Sequence, residues 1–287
     1  MSQINLNTHA KNTWCIGCGN FAILNAIRLV ITELINEGTP AENFVLVSGI
    51  GCHAKIVDYI NINSFYSLHG RVVPVATAIK IANPSLKVIG FSGDGDSYGE
   101  GLEHLLFAAK RNIDITMIIH NNRVYGLTTG QFTPTSPTGF KGRSTPYGNV
   151  EKPFNPIELM LASNASFVAR GFSHGIDLLK KIFKQAILHK GFSIVAVLQV
   201  CVTFYNMYKY YDERVYVMEN HNENDFEQAM KKAREWDYNS DTKIPLGIFY
   251  RKAQTESTFD EIVNQAKVVD YVDRKKKIDE LLKEITI

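Results

Sequence analysis

The chain has 287 residues, of which 45% are hydrophobic and 21% are charged, and its formal net charge is +2. This length suits one large α/β domain or two small ones, and the nearly balanced charge does not favour nucleic acid or a membrane surface as a partner. The apolar runs are too short to span a membrane, and the N-terminus carries no export pattern. We therefore expect a cytoplasmic protein whose thiols stay reduced.

Apolar runs alternate with amphipathic segments along the first two thirds of the chain. The patterns predict helices at 20–38, 71–84, 98–112, 156–163 and 175–191, and strands at 43–51, 86–92, 113–121, 165–171 and 192–201. Continuous apolar strands that alternate with helices are typical of a parallel sheet covered on both faces. For residues 1–205 we therefore predict an α/β fold with a doubly wound, mostly parallel sheet and helices on both faces.

The last part of the chain differs in composition. Residues 206–287 are rich in aromatic and charged side chains, with predicted helices at 224–236 and 273–285 and a strand-like segment at 244–252. We interpret this part as a C-terminal extension that packs on the core or on a partner subunit. A solvated appendage is the alternative.

Polar and sulfur-containing residues follow the predicted strands. Cys52 and His53 follow the strand at 43–51, Asp94 follows the next, Asn122 the one after that, and Cys201 the last. In open parallel sheets, ligands bind outside the carboxyl ends of the strands. Because all of these residues fall at the same edge of the predicted sheet, we expect a ligand site there.

Asp94 and Asp96 lie in a glycine-rich loop, GDGD, directly after a predicted strand. A dinucleotide-binding loop would need a third glycine where Tyr98 stands. A calcium loop would need an oxygen ligand at that position and a glutamate in place of Leu105. A magnesium–diphosphate site needs only one carboxylate and one more oxygen donor nearby, because Mg²⁺ also takes phosphate oxygens.

Asn122 can supply that second donor. It lies 28 residues after Asp94, which is the length of one helix and one strand. Because a right-handed β-α-β crossover sets the ends of two parallel strands side by side, we expect the two side chains to face each other. This spacing favours a Mg²⁺–diphosphate site over two unrelated turn residues.

The motif GDGD followed by NNRVYGLTTGQ resembles the signature of thiamine diphosphate-binding enzymes. The resemblance implies that Asp94, Asn122 and the main-chain carbonyl of Val124 bind Mg²⁺. The residues that it implies at the cofactor diphosphate are Gly95, Asp96, Gly126 and Leu127.

The four cysteines of the chain are Cys15, Cys18, Cys52 and Cys201. Cys15 and Cys18 form a C-x-x-C pair before a predicted helix, but the strand that precedes such a pair in thioredoxin-like proteins is not predicted here. Cys52 and Cys201 each follow a strand at the ligand edge. Four thiolates brought together suit either zinc or an iron–sulfur cluster, and spacing alone slightly favours zinc.

A longer resemblance covers residues 12–205. The motifs WCIGCGN, GIGCHAK and LHGR, then the thiamine motif and a late cysteine, occur in the order typical of the β subunits of 2-oxoacid:ferredoxin oxidoreductases. This resemblance implies that the four cysteines bind one 4Fe–4S cluster. The residues that it places against the thiamine cofactor are Ile50, Gly51, Cys52, His53 and His69.

The resemblance implies oxidative decarboxylation of a 2-oxoacid with coenzyme A to acyl-CoA, CO₂ and reduced ferredoxin. No segment resembles the pyrimidine-binding half of thiamine enzymes, so we expect the activating glutamate on a partner α subunit. We assign no catalytic residue in this chain, although Lys55 is a candidate contact for a substrate carboxylate.

The segment YGLTTGQFTPTSP is closer to 2-oxoglutarate and broad-range enzymes than to pyruvate-specific ones. The resemblance therefore favours 2-oxoglutarate over pyruvate. Two positions depart from the family pattern: Asn121 replaces an aspartate, and Thr129 stands where some broad-range relatives have a lysine. The alternatives are a non-redox thiamine diphosphate-dependent lyase subunit and a zinc-stabilised interaction subunit.

Overall fold

The computed structural model describes residues 5–253, 257–265 and 274–285. The strands within these ranges are β1 (Phe44–Ser48), β2 (Asn63–Tyr66), β3 (Lys87–Gly93), β4 (Thr116–Asn121), β5 (Phe167–Phe172), β6 (Ser193–Leu198), β7 (Val215–Val217) and β8 (Ile244–Arg251). The α-helices are α1 (Asn20–Asn36), α2 (Val72–Ala82), α3 (Leu102–Arg111), α4 (Pro156–Ala162), α5 (Ile176–Leu188), α6 (Tyr208–Asp212), α7 (Phe226–Ala233), α8 (Phe259–Gln265) and α9 (Arg274–Ile285).

The strands form one sheet in the order β2-β1-β3-β4-β6-β5-β8-β7. Strands β1 to β6 are parallel, whereas β8 pairs antiparallel with β5 and β7 pairs parallel with β8. The predicted doubly wound, mostly parallel sheet is therefore confirmed. The chain passes from β1 outward to β2 and then returns to the other side of β1, which opens a crevice at the carboxyl ends of β1 and β3.

Alternate residues of the buried strands supply two apolar layers. In β4, Ile118 packs into the layer covered by α1 and α5, whereas Met117 and Ile119 pack into the layer covered by α2, α3 and α4. This follows from the two-residue period of a strand. Because both faces are covered, β4 is buried along its whole length. Its polar residues His120 and Asn121 lie at its carboxyl end.

Two predicted boundaries are wrong where glycines bend the chain. The helix predicted at 98–112 begins only at Leu102, because Gly95–Glu100 forms a π-helical turn first. The strand predicted at 43–51 ends at Ser48, and a 3₁₀-helix at Cys52–Asp58 follows it. Strand β2 has no sequence prediction because its four residues are exposed and carry no apolar alternation.

Residues 206–253 extend the same sheet. The segment predicted as strand-like at 244–252 is β8, which pairs with β5, and the helix predicted at 224–236 is α7, which packs against α4. The charged helix predicted at 273–285 corresponds to α9. None of the helices in the described part of the chain has the length and apolar character needed to cross a membrane.

Candidate functional site

A cavity of about 500 Å³ opens at the carboxyl ends of β1, β3 and β4. Its wall includes every residue that the sequence resemblance placed at the thiamine cofactor or Mg²⁺: Ile50, Gly51, Cys52, His53, His69, Asp94, Gly95, Asp96, Asn122, Val124, Gly126 and Leu127. The structure thus brings residues from separate segments of the chain into one wall. Lys55, Cys15, Cys18 and Cys201 are not among the lining residues.

Asp94 and Asn122 lie side by side, as the crossover geometry predicted. Strands β3 and β4 are neighbours, with Gly93 opposite His120, and the backbone N–H of Asn122 donates to the Asp94 carboxylate. The Asn122 side-chain oxygen Oδ1 in turn accepts from the N–H of Val124 at 3.0 Å. The three residues expected to hold a metal ion, Asp94, Asn122 and Val124, therefore line the same cavity.

Asp94 is 2% exposed, and burial raises its pKa because the charged form loses its hydration. Two hydroxyls partly offset this effect: Thr133 and Thr135 donate to Asp94 Oδ2 at 2.5 Å and 2.7 Å. A divalent cation beside Asp94 would favour its charged form further. The donor set, one carboxylate and neutral oxygens, has the chemistry that Mg²⁺ prefers.

Asp96 is the centre of a second hydrogen-bond network. Its Oδ1 accepts from the N–H of Gly70 at 2.5 Å and lies 3.1 Å from His69 Nδ1. Its Oδ2 accepts from Ser92 Oγ at 2.6 Å and lies 3.2 Å from His53 Nε2. Burial opposes ionisation, but these contacts outweigh it and hold the pKa of Asp96 below its usual range, while the Asp96 contact raises the pKa of His69.

Gly49 allows the Asp96 network to form. A Cβ at position 49 would overlap the Asp96 carboxylate, so only glycine lets the chain after β1 pass this close. Asp96 thereby joins the loops that follow β1, β2 and β3 around the cavity. Its oxygens are already engaged by donors of this chain.

His120 lines the cavity and is 1% exposed. Its Nδ1 lies 2.8 Å from Asn20 Oδ1, an acceptor, so Nδ1 carries the proton and Nε2 is left as an acceptor. Burial lowers the pKa of His120, and the neighbouring His53 lowers it further. Among the described residues Nε2 has no hydrogen-bond partner, so a neutral ring with a free acceptor is buried at the cavity wall.

The four cysteines come together beside this cavity and are all free thiols. The N–H of Cys18 donates to the carbonyl of Cys15 at 3.0 Å, and the N–H of Gly19 donates to the carbonyl of Val200 at 3.2 Å, so the C-x-x-C pair lies beside the segment of Cys201. Burial raises the pKa of Cys18 to about 12, and the other three cysteines act in the same direction. Gly126 lies between two of them: a Cβ there would be 3.6 Å from Cys201 Sγ and 3.7 Å from Cys52 Sγ.

In the parts of the chain that the structure describes, no three His, Cys, Asp or Glu side chains converge closely enough to hold a single metal ion. A 4Fe–4S cluster does not need such convergence, because each of its four cysteines binds a different iron atom. Glycine at position 126 keeps a side chain out of the place where Cys52 Sγ and Cys201 Sγ approach each other.

Lys55 lies away from the cavity wall. Its Nζ donates to Thr13 Oγ1 at 2.8 Å, and its charge lowers the pKa of Cys52 against the larger raising effect of burial. Lys55 thus lies near Cys52, a wall residue, without lining the cavity itself.

Sequence reasoning missed His120, Thr133 and Thr135. The only signal for His120 was a polar residue at the end of an otherwise apolar strand, immediately before the asparagine pair. The two threonines lie in FTPTSP, a segment without regular structure whose return to Asp94 no periodicity reveals.

Two sequence families match the chain. The family described as "Thiamine pyrophosphate enzyme, C-terminal TPP binding domain" matches residues 49–197, which carry the Asp94 and Asn122 network. The family of the C-terminal part of the pyruvate ferredoxin oxidoreductase beta subunit matches residues 201–268. Fold and site together define a thiamine diphosphate-binding protein.

Relatives extend over nearly the whole chain. The 2-oxoacid:ferredoxin oxidoreductase 1 subunit beta of Aeropyrum pernix is 44% identical, with 85% of this chain and 79% of that protein covered. The corresponding subunit of Saccharolobus solfataricus is 42% identical over 87% of this chain and 85% of the relative. This chain belongs to the family of β subunits of 2-oxoacid:ferredoxin oxidoreductases, which are oxidoreductases that work with an α subunit.

A solved structure is also similar to this chain along nearly its whole length. The 2-oxoglutarate:ferredoxin oxidoreductase of Magnetococcus marinus, with 2-oxoglutarate, coenzyme A and succinyl-CoA bound, superposes with a TM-score of 0.85 at 32% identity. The superposition covers 96% of this chain and 94% of the solved one. Neither the lyase nor the interaction-subunit alternative is named among these relatives.

Proposed function

We propose that this chain, together with an α subunit, converts a 2-oxoacid, coenzyme A and two oxidised ferredoxins to acyl-CoA, CO₂, a proton and two reduced ferredoxins. The cofactors would be thiamine diphosphate, Mg²⁺ and one 4Fe–4S cluster. The preferred substrate would be 2-oxoglutarate rather than pyruvate. Thiamine diphosphate supplies, when bound, the carbon nucleophile and electron reservoir for decarboxylation.

One observation carries this proposal: the cavity and the cysteines share a wall. Cys52 lines the cavity, and Gly126, another wall residue, stands between Cys52 and Cys201. Electrons released in the cavity would therefore have a short path to a cluster held by these sulfurs. A non-redox enzyme would have no use for four free thiols in this place.

Asp94, Asn122 and the carbonyl of Val124 would hold Mg²⁺, with Thr133 and Thr135 orienting the Asp94 carboxylate. The diphosphate would meet the backbone at Gly95, Gly126 and Leu127. Asp96 would not contact the diphosphate itself, because two anionic groups side by side repel each other.

The role we propose for Asp96 is to orient two histidines. It keeps a proton on His69, which is well placed to donate to a phosphate, and fixes His53 in the wall. We expect the glutamate that activates the cofactor to come from the α subunit.

The substrate preference rests on relatives and on one local contact. Two relatives, in Archaeoglobus fulgidus and Methanothermobacter thermautotrophicus, are named 2-oxoglutarate synthase subunit KorB. Thr129, which stands where some broad-range relatives have a lysine, accepts a hydrogen bond from Arg143 Nη1 at 2.9 Å. A guanidinium from the same β4–α4 connection thus lies beside Thr129 and is proposed to pair with the second carboxylate of 2-oxoglutarate.

The test is the coenzyme A-dependent reduction of a viologen dye by the anaerobically purified αβ complex, with 2-oxoglutarate and pyruvate measured in parallel. We expect a higher kcat/KM for 2-oxoglutarate. Equal or better use of pyruvate would contradict the substrate preference, and the absence of dye reduction with either acid would contradict the proposed reaction.

Arg143→Gln is expected to raise KM for 2-oxoglutarate by about fivefold and to leave KM for pyruvate unchanged, because an exposed ion pair contributes up to ~1 kcal/mol. Lys141→Gln, in the same loop, is the matched control for lost surface charge. If both variants change KM for both acids equally, Arg143 does not read the second carboxylate.

A further inference from the structure

Two buried arginines pack against the same aromatic pair. Trp236 and Tyr238 stack with ring centroids 4.0 Å apart. The guanidinium of Arg123 lies 5.6 Å from each of these rings, and that of Arg170 lies 5.2 Å and 5.3 Å from them. Arg123 is 2% exposed and Arg170 is fully buried. Such desolvated cation–π contacts are unusually strong and hold a guanidinium in a fixed place.

Arg123 is part of the loop that carries the proposed Mg²⁺ ligands. It stands between Asn122 and Val124, with a left-handed backbone at φ 61° that a bulky residue adopts only under constraint. Its own carbonyl accepts from Ser136 Oγ at 2.6 Å. The position of this backbone decides where the Asn122 side chain and the Val124 carbonyl point.

The Arg123 side chain connects two distant parts of the fold. Its Nε donates to the carbonyl of Thr135 at 2.7 Å, and its Nη2 donates to the carbonyl of Tyr238. Thr135 also donates through its hydroxyl to the Asp94 carboxylate. A continuous set of contacts therefore runs from the segment between α7 and β8, through Arg123, to both sides of the metal site.

Arg170 has no comparable link to the metal site. It lies on β5, donates through Nη1 to the carbonyl of Pro245 at 3.2 Å, and packs against the same rings and Phe249. The two arginines share burial, charge and aromatic neighbours. They differ in that Arg123 donates to the carbonyl of Thr135, whose hydroxyl in turn donates to Asp94.

We propose that Arg123 is a positioning residue through which the C-terminal segment, by way of Trp236 and Tyr238, sets the geometry of the Mg²⁺-binding loop. This inference rests on the proposed cofactor site and adds a function for the segment beyond sheet extension. The segment holds Arg123, and Arg123 holds Thr135 and the backbone between the metal ligands. The consequence is that metal affinity depends on residues that touch neither metal nor cofactor.

The experiment compares Arg123→Lys with Arg170→Lys in the full-length αβ complex. Lysine keeps the charge but loses the planar fork that contacts two carbonyls at once. Mn²⁺ affinity is measured by EPR in the presence of saturating thiamine diphosphate, and thermal unfolding is recorded for each variant. We expect similar losses of thermal stability, but a rise of about 10- to 100-fold in the Mn²⁺ dissociation constant for Arg123→Lys alone, the range typical of residues that orient metal ligands.

Trp236→Phe is a milder second variant in case Arg123→Lys does not fold. It leaves Arg123 in place but reduces the aromatic surface beneath it, and we expect Mn²⁺ affinity to fall about fivefold. Tyr238→Phe is its control, because the Tyr238 hydroxyl has no hydrogen-bond partner among the described residues, and it is expected to leave affinity unchanged.

Three outcomes would overturn the inference. Equal affinities for Arg123→Lys and Arg170→Lys would mean that Arg123 stabilises the fold only, and so would an unchanged affinity in Trp236→Phe. In both cases the proposed Mg²⁺ and thiamine diphosphate site is still supported, provided that the parent complex binds Mn²⁺ and Asp94→Asn does not. A parent complex that binds no Mn²⁺ would overturn the site and the inference together.

Discussion

The variant Asp94→Asn is expected to lose Mg²⁺ and thiamine diphosphate while the chain stays folded. Asparagine keeps the size of the side chain and an acceptor for Thr133 and Thr135, but it removes the only charge we assign to the metal. We expect metal affinity to fall by more than the roughly 10- to 100-fold caused by losing an outer partner of a metal ligand. Equilibrium dialysis of the αβ complex against thiamine diphosphate and Mg²⁺ measures both losses.

The matched control is Asp260→Asn. Asp260 is also 2% exposed, but it accepts from the Asp114 N–H far from the cavity, so this variant should keep both cofactors. Unchanged thiamine diphosphate content in Asp94→Asn would contradict the assignment of Asp94.

The same variant has a second expected effect on the metal-free chain. Because burial raises the pKa of Asp94 in the folded state, the fold binds this proton more tightly than the unfolded chain does. The stabilising effect of the proton is complete at low pH and is lost as the pH rises through the folded-state pKa. Without metal, Asp94→Asn should therefore be at least as stable as the parent at neutral pH, as measured by urea unfolding.

The variant Cys15→Ala is expected to lose the iron–sulfur cluster and retain thiamine diphosphate. Cys15 is exposed and does not line the cavity, so its removal leaves the cofactor site untouched. Iron should fall from about four atoms per chain to three or fewer, because each cysteine of a 4Fe–4S cluster binds one iron and the iron at Cys15 loses its protein ligand. Dye reduction should fall to background, while slow release of CO₂ from 2-oxoglutarate, with the aldehyde as the other product, continues.

Thr203→Val is the control for this variant. The Thr203 hydroxyl donates to Cys15 Sγ at 3.3 Å, so valine removes a hydrogen bond to the sulfur without removing the ligand. The cluster should remain, with an altered reduction potential. Full iron content and dye reduction in Cys15→Ala would show that Cys15 is not a cluster ligand.

The sequence was most informative where residues suited to ligand binding follow strands that lie next to each other in the sheet. The pairing of Asp94 with Asn122 followed from their spacing, because one crossover connection necessarily brings the ends of adjacent parallel strands together. The grouping of the four cysteines depended on family resemblance as well, since no local rule relates a C-x-x-C pair to single cysteines at distant strand ends.

Long-range contacts of irregular segments were not predictable. Thr133 and Thr135 reach Asp94 from a loop, and Trp236 reaches Arg123 from a distant part of the chain without any periodic pattern. The role of Asp96 also changed with the structure. Its two oxygens face groups on strand β3 and on the loops after β1 and β2, which a GDGD motif alone does not reveal.

Mixing the anaerobic αβ complex with 2-oxoglutarate and coenzyme A, without an external electron acceptor, tests most directly whether the cavity and the cysteines form one redox site. The low-temperature EPR spectrum is recorded before and after mixing. We predict that a paramagnetic signal of a cluster reduced by one electron appears only when substrate is added, in a complex that contains about four iron atoms and one thiamine diphosphate per chain. A complex that contains zinc instead of iron, or an iron-containing complex whose spectrum does not change with substrate, would contradict this.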